Sequence, residues 1–398
     1  MMVMLAVGCV LAVTASLQRN NRAGERWNAV LAQAPQSVIA FSSSWADPIS
    51  VYGFRSASIS SDNTFFATVT APNDTITLRY QTGKAVWRRQ VPGTTNVEVA
   101  PKGNLVIAFA ALDLTKPTLS IIRGEKVGQI SNFVLDGAIW DVDISNDGTM
   151  ACAVTGNHSL YVFPLDAPQN YHHWHTDGIG NSVAISKDGT SIIAGMWDES
   201  GVACFTRKGD LVWRYPEEAE QRKAVMNRLF EAQIAQHGRF VLGVSYANIR
   251  QGDATIYLWR KDGSGKPLWT HDLGEDNYYP KAQITANGEF VVVTYLHNIT
   301  HGQKRAAERR LLVLDRLGDT VFEKGGLLFS PNLVTVSPTG NTVTVSDGQY
   351  ALYNVNSNGR ISASKTMDKL IHQTIASEDG RLILVYTGDG KLTLLRVS

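Results

Sequence analysis

The chain has 398 residues, 44% of them hydrophobic and 18% charged, with a formal net charge of +1. Enough apolar surface is present for a large core, which excludes a disordered chain, and the near-zero charge excludes a global field for nucleic acid or acidic lipid. Cys9, Cys152 and Cys204, at unrelated spacings, offer neither a disulfide framework nor a cysteine-based metal site; the last two sit in apolar stretches and read as buried thiols.

Residues 1–17 (MMVMLAVGCVLAVTASL) carry no charge and precede Arg19, Arg22 and Arg26. Their length lies between a signal-peptide core and a short membrane span, so the expectation is a signal peptide or anchor over 1–17 and a linker over 18–35. Cleavage after Ala15 gives a secreted protein; the stretch before Cys9 is a poor lipoprotein box; an uncleaved anchor with basic residues on its C-terminal side holds the remainder in the cytoplasm. The expected location is the cell envelope, membrane-anchored or secreted, with the cytoplasm as the alternative if the start is misplaced. Contact with membrane is expected through this segment only.

From about residue 51 one pattern repeats eight times: a short apolar strand, a tight turn, a second apolar strand. The copies include ISSDNTFF from Ile59, ISNDGTMA from Ile144, ISKDGTSI from Ile185 and ITANGEFV from Ile284. Seven turns end on Gly and the first on Asn63, the residue types that best tolerate positive φ. Successive turns lie 40, 45, 41, 49, 50, 52 and 40 residues apart, the spacing of a four-stranded propeller blade.

In the fourth repeat, residues 181–187, 191–197, 202–206 and 211–215 read as four antiparallel strands divided by Asp-Gly and Lys-Gly turns. Such a meander cannot bury both faces alone, so the repeats must close into a ring. The predicted fold is an all-β, eight-bladed propeller over 36–398, with seven blades as the alternative. The last repeat lacks its outermost strand, and residues 36–42 (QSVIAFS) are predicted to supply it.

Several outer strands carry a Trp soon after a Gly turn: TGKAVW ending at Trp87, KGDLVW at Trp213 and GSGKPLW at Trp269, with Trp174 in a related place. This resembles the tryptophan motif of the quinoprotein dehydrogenase-like propellers, the rings built from pyrroloquinoline-quinone-type repeats. The SxDG turns are also similar to WD repeats, but the terminal Trp-Asp pair is absent. In that family's enzymes the resemblance implies a quinone on the ring axis above an adjacent-cysteine disulfide, with calcium and a carboxylate nearby. This chain has no adjacent cysteines. The family also holds non-enzymatic scaffolds, one an envelope lipoprotein that assists outer-membrane protein assembly, and a binding propeller without cofactor or metal is the closer match.

Four long connections, 215–229, 246–254, 274–281 and 296–309, fall on the face of second-to-third loops and blade crossings, around blades four to six. Long loops on a rigid scaffold are where recognition is usually placed. Trp197, Asp198, Tyr246, Asn248, Arg250, Tyr278, Tyr279, His297 and Asn298 are the candidate binding residues, since Tyr, Trp and Arg dominate interface hot spots. The expected partner is a protein, with a carbohydrate or small ligand as alternatives and no nucleic acid. The run Lys304, Arg305, Arg309 and Arg310, with Glu308 inside it, reads as a solvated hairpin tip. His173 and His175 share one face of an outer strand, yet no third metal ligand is visible. No catalytic motif is present, so an enzyme or ligand binder using the axial cavity stands as the alternative to a scaffold.

Overall fold

The computed structural model describes residues 41–48, 53–111, 113, 115–123, 129–197, 201–218, 228–235, 238–247, 254–301, 304–325, 332–337, 342–356 and 361–397. Strand β1 (Phe41–Pro48) precedes seven four-stranded meanders. Blade 1 is β2 to β5 (Phe54–Ile59, Phe65–Thr70, Thr75–Tyr80, Ala85–Gln90), and blade 2 is β6 to β9 (Asn96–Val99, Leu105–Phe109, Thr118–Arg123, Gln129–Val134). Blade 3 is β10 to β13 (Ile139–Ile144, Met150–Thr155, Ser159–Pro164, His172–His175), and blade 4 is β14 to β17 (Ile179–Ile185, Ser191–Trp197, Val202–Thr206, Leu211–Tyr215). Blade 5 is β18 to β21 (Arg228–Ile234, Phe240–Ala247, Ala254–Arg260, Trp269–Asp272), and blade 6 is β22 to β25 (Asn277–Ile284, Phe290–His301, Lys304–Asp315, Thr320–Lys324). Blade 7 is β26 to β29 (Asn332–Val336, Thr342–Ser346, Ala351–Asn356, Ile361–Thr366). The chain ends in β30 to β32 (Ile371–Ala376, Leu382–Thr387, Lys391–Val397), and β1 pairs antiparallel with β32 to complete blade 8.

The ring is therefore eight-bladed, not seven, and it closes through the N-terminal strand as expected. The closing strand spans Phe41–Pro48 and so runs beyond the expected end at 42, while residues 36–40 of the expected 36–42 lie outside the described residues. Its register runs from Phe41 opposite Val397 to Pro48 opposite Lys391, which brings the chain to the start of β2 after a short crossing. In blade 4 the second to fourth strands match the expected bounds; the first spans 179–185, because Ser186 leaves the ladder and its Oγ bonds Asp188 at 2.7 Å instead.

That serine–aspartate bond recurs. Ser60 to Asp62, Ser145 to Asp147 and Ser377 to Asp379 close the same turn at 2.6, 2.6 and 2.8 Å, each acceptor a local cap for the bend. The residue after the bend takes positive φ throughout the described copies, and Asn63 adopts 61°, beside 69° for Gly148 and 65° for Gly189.

Among the described residues the core is divided rather than single. Eight buried apolar clusters each span one pair of adjacent blades, and the last joins Phe66 of blade 1 to Leu384 and Leu394 of blade 8. Period 2 does the distribution: Ile192 packs toward blade 3 while Ile193 packs toward blade 5. Strands covered on both faces must be apolar at successive positions, which is why the repeats read as continuous hydrophobic runs.

The outer-strand tryptophans lock the seams. Trp213 Nε1 donates to the Lys261 carbonyl of blade 5 at 2.8 Å, and Trp269 Nε1 to the Arg316 carbonyl of blade 6 at 2.9 Å. Trp269 lies flat against Gly318, and Trp174 against Gly209 of blade 4; a Cβ on either glycine would stand 2.8 Å from the indole. The Trp and the Gly of the next blade are thus one device split between repeats.

Candidate functional site

In an antiparallel meander the first-to-second and third-to-fourth turns share one face of the ring, the turn face. The second-to-third loops and blade crossings share the other, the crossing face. The described candidates, Trp197, Tyr246, Tyr278, Tyr279, His297 and Asn298, lie at the crossing-face ends of blades 4 to 6, on strands rather than on loops. Trp197 is the last residue of β15, and its backbone bridges to Leu229 of β18, joining blades 4 and 5 into one sheet. Tyr246 lies in β19 and donates its hydroxyl to Glu231 at 2.9 Å; burial and then the Glu231 charge push that phenol far up, so it stays neutral. Asp198, Asn248 and Arg250 lie outside the described residues.

Two expected loops are strands. Residues 277–281 belong to β22, with a bulge between Tyr278 and Lys281 where Tyr279 takes φ 50° and turns outward, 51% exposed. The stretch 296–309 is the end of a long β23–β24 hairpin, paired residue for residue from Phe290 opposite Asp315 to His301 opposite Lys304. Residues 302 and 303 lie outside the described residues, and the ladder on either side of them captures most of what the sequence assigned to a loop. The pairing of β22 with β23 stops at Asn277 opposite His297, and the hairpin runs on past it.

Blade 6 gathers four candidates. Tyr278 and Tyr279 have ring centroids 6.5 Å apart, His297 Nδ1 meets Asn277 Oδ1 at 2.8 Å, and the Asn298 amide donates to the Asp276 carbonyl at 2.9 Å. Of the basic run, Arg310 is engaged by Glu308 and Glu323, and burial holds the half-buried Arg309 below its ordinary range.

The chemistry-bearing cluster that sequence reading missed is on the axis. Inner strands of six blades, β2, β6, β10, β14, β18 and β30, line a channel of about 680 Å³ whose wall includes Glu98, Asp141, Asp143, Glu231 and, from the β30–β31 turn, Glu378. The alternation in β10 explains two of them: Val142 and Ile144 enter the core, and Asp141 and Asp143 face the channel. Asp141 Oδ2 accepts the Val183 amide of blade 4 at 2.9 Å, and Asp143 Oδ2 the Ile185 amide at 2.8 Å. Neighbouring inner strands use the same device with neutral groups: the Val99 amide donates to Ser58 Oγ at 3.2 Å, and the Ala232 amide to Ser182 Oγ at 2.9 Å.

Burial dominates the electrostatics of these acids. It raises Glu98 to about 8, against the Ser58 hydroxyl bond and with the charges of Asp143 and Asp141 adding to the rise. Burial likewise raises Asp141 to about 7 and Asp143 to about 6, although backbone amides pull both down. Every charged neighbour acting on these three is another carboxylate.

Other features carry less. A groove of about 1040 Å³ on the turn face, lined by Arg123, Asp147, Asp166, His172, Arg207 and Lys208, mixes both signs of charge, and Arg123 is spent on the Leu165 and Asp166 carbonyls. It is a seam between turn tips. His173 stacks on Tyr161 and meets His175 edge-on at 6.5 Å, on one face as expected, and no group of three metal-ligating side chains occurs among the described residues. Ser159 bonds Asp136 at 2.5 Å with His175 beyond it at 3.4 Å, so serine rather than histidine sits in the middle, the wrong order for an activated nucleophile. Cys152 and Cys204 are buried free thiols on blades 3 and 4. No helix among the described residues is long and apolar enough to cross a membrane.

No protein family and no curated protein matches the sequence. Solved structures match in shape. BamB from Moraxella catarrhalis superposes with a TM-score of 0.61 at 13% identity, over 89% of this chain and 99% of that one. Hydrazine synthase from Kuenenia stuttgartiensis gives 0.55 at 11%, over 88% and 97%. The Dos1 propeller gives 0.63 at 12%, over 89% and 95%. At such identities the likeness is one of fold, and it agrees with the strand order and the eight interblade clusters: the chain is an eight-bladed β-propeller similar in architecture to BamB.

Proposed function

We propose that the protein is a non-enzymatic scaffold of the cell envelope that binds a protein partner on the crossing face of blades 4 to 6, with residues 1–17 as its signal peptide or anchor. The observation that carries this reading is the β23–β24 hairpin running past the end of β22 beside the outward-turned Tyr279. A paired arm next to an exposed aromatic gives a docking partner a strand-held contact area, which lowers the ordering cost of binding. The shape likeness to BamB and the resemblance to quinoprotein-type repeats support a binding propeller. The test is site-specific photo-crosslinking in the native host from Tyr279, with Tyr80 on blade 1 as the control. A discrete adduct from Tyr279, absent from Tyr80 and lost when His297 and Tyr278 are changed to Ala in a folded variant, is expected. Adducts of equal yield from both positions would remove the reading.

The axial channel favours a second reading, a small cationic ligand bound among Glu98, Asp141, Asp143 and Glu231. Calorimetric titration with calcium and with a linear polyamine separates the two. Saturable heat lost in Glu98→Gln supports the channel, and none leaves the crossing face alone.

A further inference from the structure

Asp141 and Asp143 of β10 reach across a blade boundary to backbone amides of β14, and Glu98 of β6 sits beside them, held by Ser58 of β2 at 2.7 Å. The groups facing this trio are Glu231 from β18, Glu378 from the β30–β31 turn and the Cys152 thiol from β11, while β14 (IGNSVAI) offers only amides and neutral side chains. No cation offsets the cluster among the charges acting on it.

Two opposing effects meet here. The amides of Val183 and Ile185 favour ionised acceptors, whereas withdrawal from water and the crowding of carboxylates around one channel disfavour them, and with burial the largest influence all three acids are held above the usual carboxylate range. All three side chains are half-buried on the channel wall, so any opening that gives them more water becomes easier as protons leave.

We propose that Glu98, Asp141 and Asp143 form a pH-responsive lock on the ring: with protons bound, the inner strands of blades 2 to 4 close around the channel, and proton loss lets that seam open to water. Because Val183 and Ile185 donate to the lock itself, their amides report on it directly. Asn146 and Glu378, which meet across the channel mouth, lie on the same side and would part with the seam.

The experiment is amide hydrogen exchange on the full-length chain, corrected for the intrinsic pH dependence of exchange chemistry. Protection of Val183 and Ile185 is expected to fall roughly tenfold or more between about pH 5.5 and about pH 8.5, while Val244 and Ile256 of blade 5 hold theirs. Glu98→Gln, a neutral mimic of the protonated acid, should flatten the response and keep the seam closed at the alkaline end. Protection independent of pH at Val183 and Ile185, or an equal fall in every blade, overturns the lock, and the wild-type comparison decides this even if the variant does not fold.

Discussion

Asn146 Nδ2 donates to Glu378 at 3.0 Å, joining residues 232 apart in the chain across the mouth of the axial channel. Asn146 belongs to the first turn of blade 3 and Glu378 to that of blade 8, so the bond spans blades 1 and 2. Both residues stand two before the turn glycine of their repeats, Gly148 and Gly380. The mouth is thus partly closed by equivalent positions of two repeats, with Asp143 beneath them feeling the Glu378 charge.

This contact should be weak. A double-mutant cycle of Asn146→Ala and Glu378→Ala in urea is expected to give a coupling of about 0.5–1 kcal/mol, since both groups are reached by water. A coupling well above that range would mean the mouth is a rigid structural closure.

The tryptophan seams should be more sensitive. Gly209→Ala and Gly318→Ala each place a methyl 2.8 Å from an indole on a backbone with φ of +94° and +83°. Each is expected to cost about 1–3 kcal/mol by urea denaturation. Gly93→Ala, with φ +84° and nothing within 4 Å, carries only the backbone strain and should cost about 1 kcal/mol. Equal losses at all three would show that the Trp contact contributes nothing.

Ring closure depends on β1. A chain shortened to begin after Pro48 loses seven residue pairs with β32 and exposes that strand's edge. It is expected to associate on size-exclusion chromatography and to melt less cooperatively than the full chain. A monomer with unchanged melting would mean that three strands suffice for blade 8.

Stability should peak in mildly acidic solution. The Ser186 hydroxyl, then those of Thr190 and its amide, hold Asp188 down to about 2; burial opposes the same turn bonds at Asp62 and Asp147, yet both are also lowered. These depressed groups stabilise above the usual carboxylate range and lose that contribution as pH falls through their own. The channel acids are raised, so their contribution is complete below the usual range and lost as pH rises through about 6 to about 8. Calorimetric melting temperature is expected to be highest between about pH 4 and about pH 6, and Glu98→Gln should blunt the alkaline decline. A melting temperature that climbs steadily toward pH 9 contradicts this.

The sequence by itself determined the blade count, the turn at each repeat, the use of Trp87, Trp174, Trp213 and Trp269 on outer strands, and closure by the N-terminus. Those features are local: positive φ at Gly148 or Asn63, the Ser–Asp turn bond and period 2 act within a few residues of one another. The axial acids were legible in part, because Glu98 and Asp143 both stand five residues before the turn position and Asp141 and Glu231 both stand seven before it. Stacking the eight repeats on that position would have exposed them, whereas reading each repeat alone did not. Only the tertiary structure decided that these acids converge, that Asp141 and Asp143 spend oxygens on the next blade's amides, and that residues 296–301 pair with 304–309. A channel takes its character from inner strands contributed by six separate repeats, and a hairpin's length from how far two strands keep pairing, so both are settled by groups brought together in space rather than along the chain.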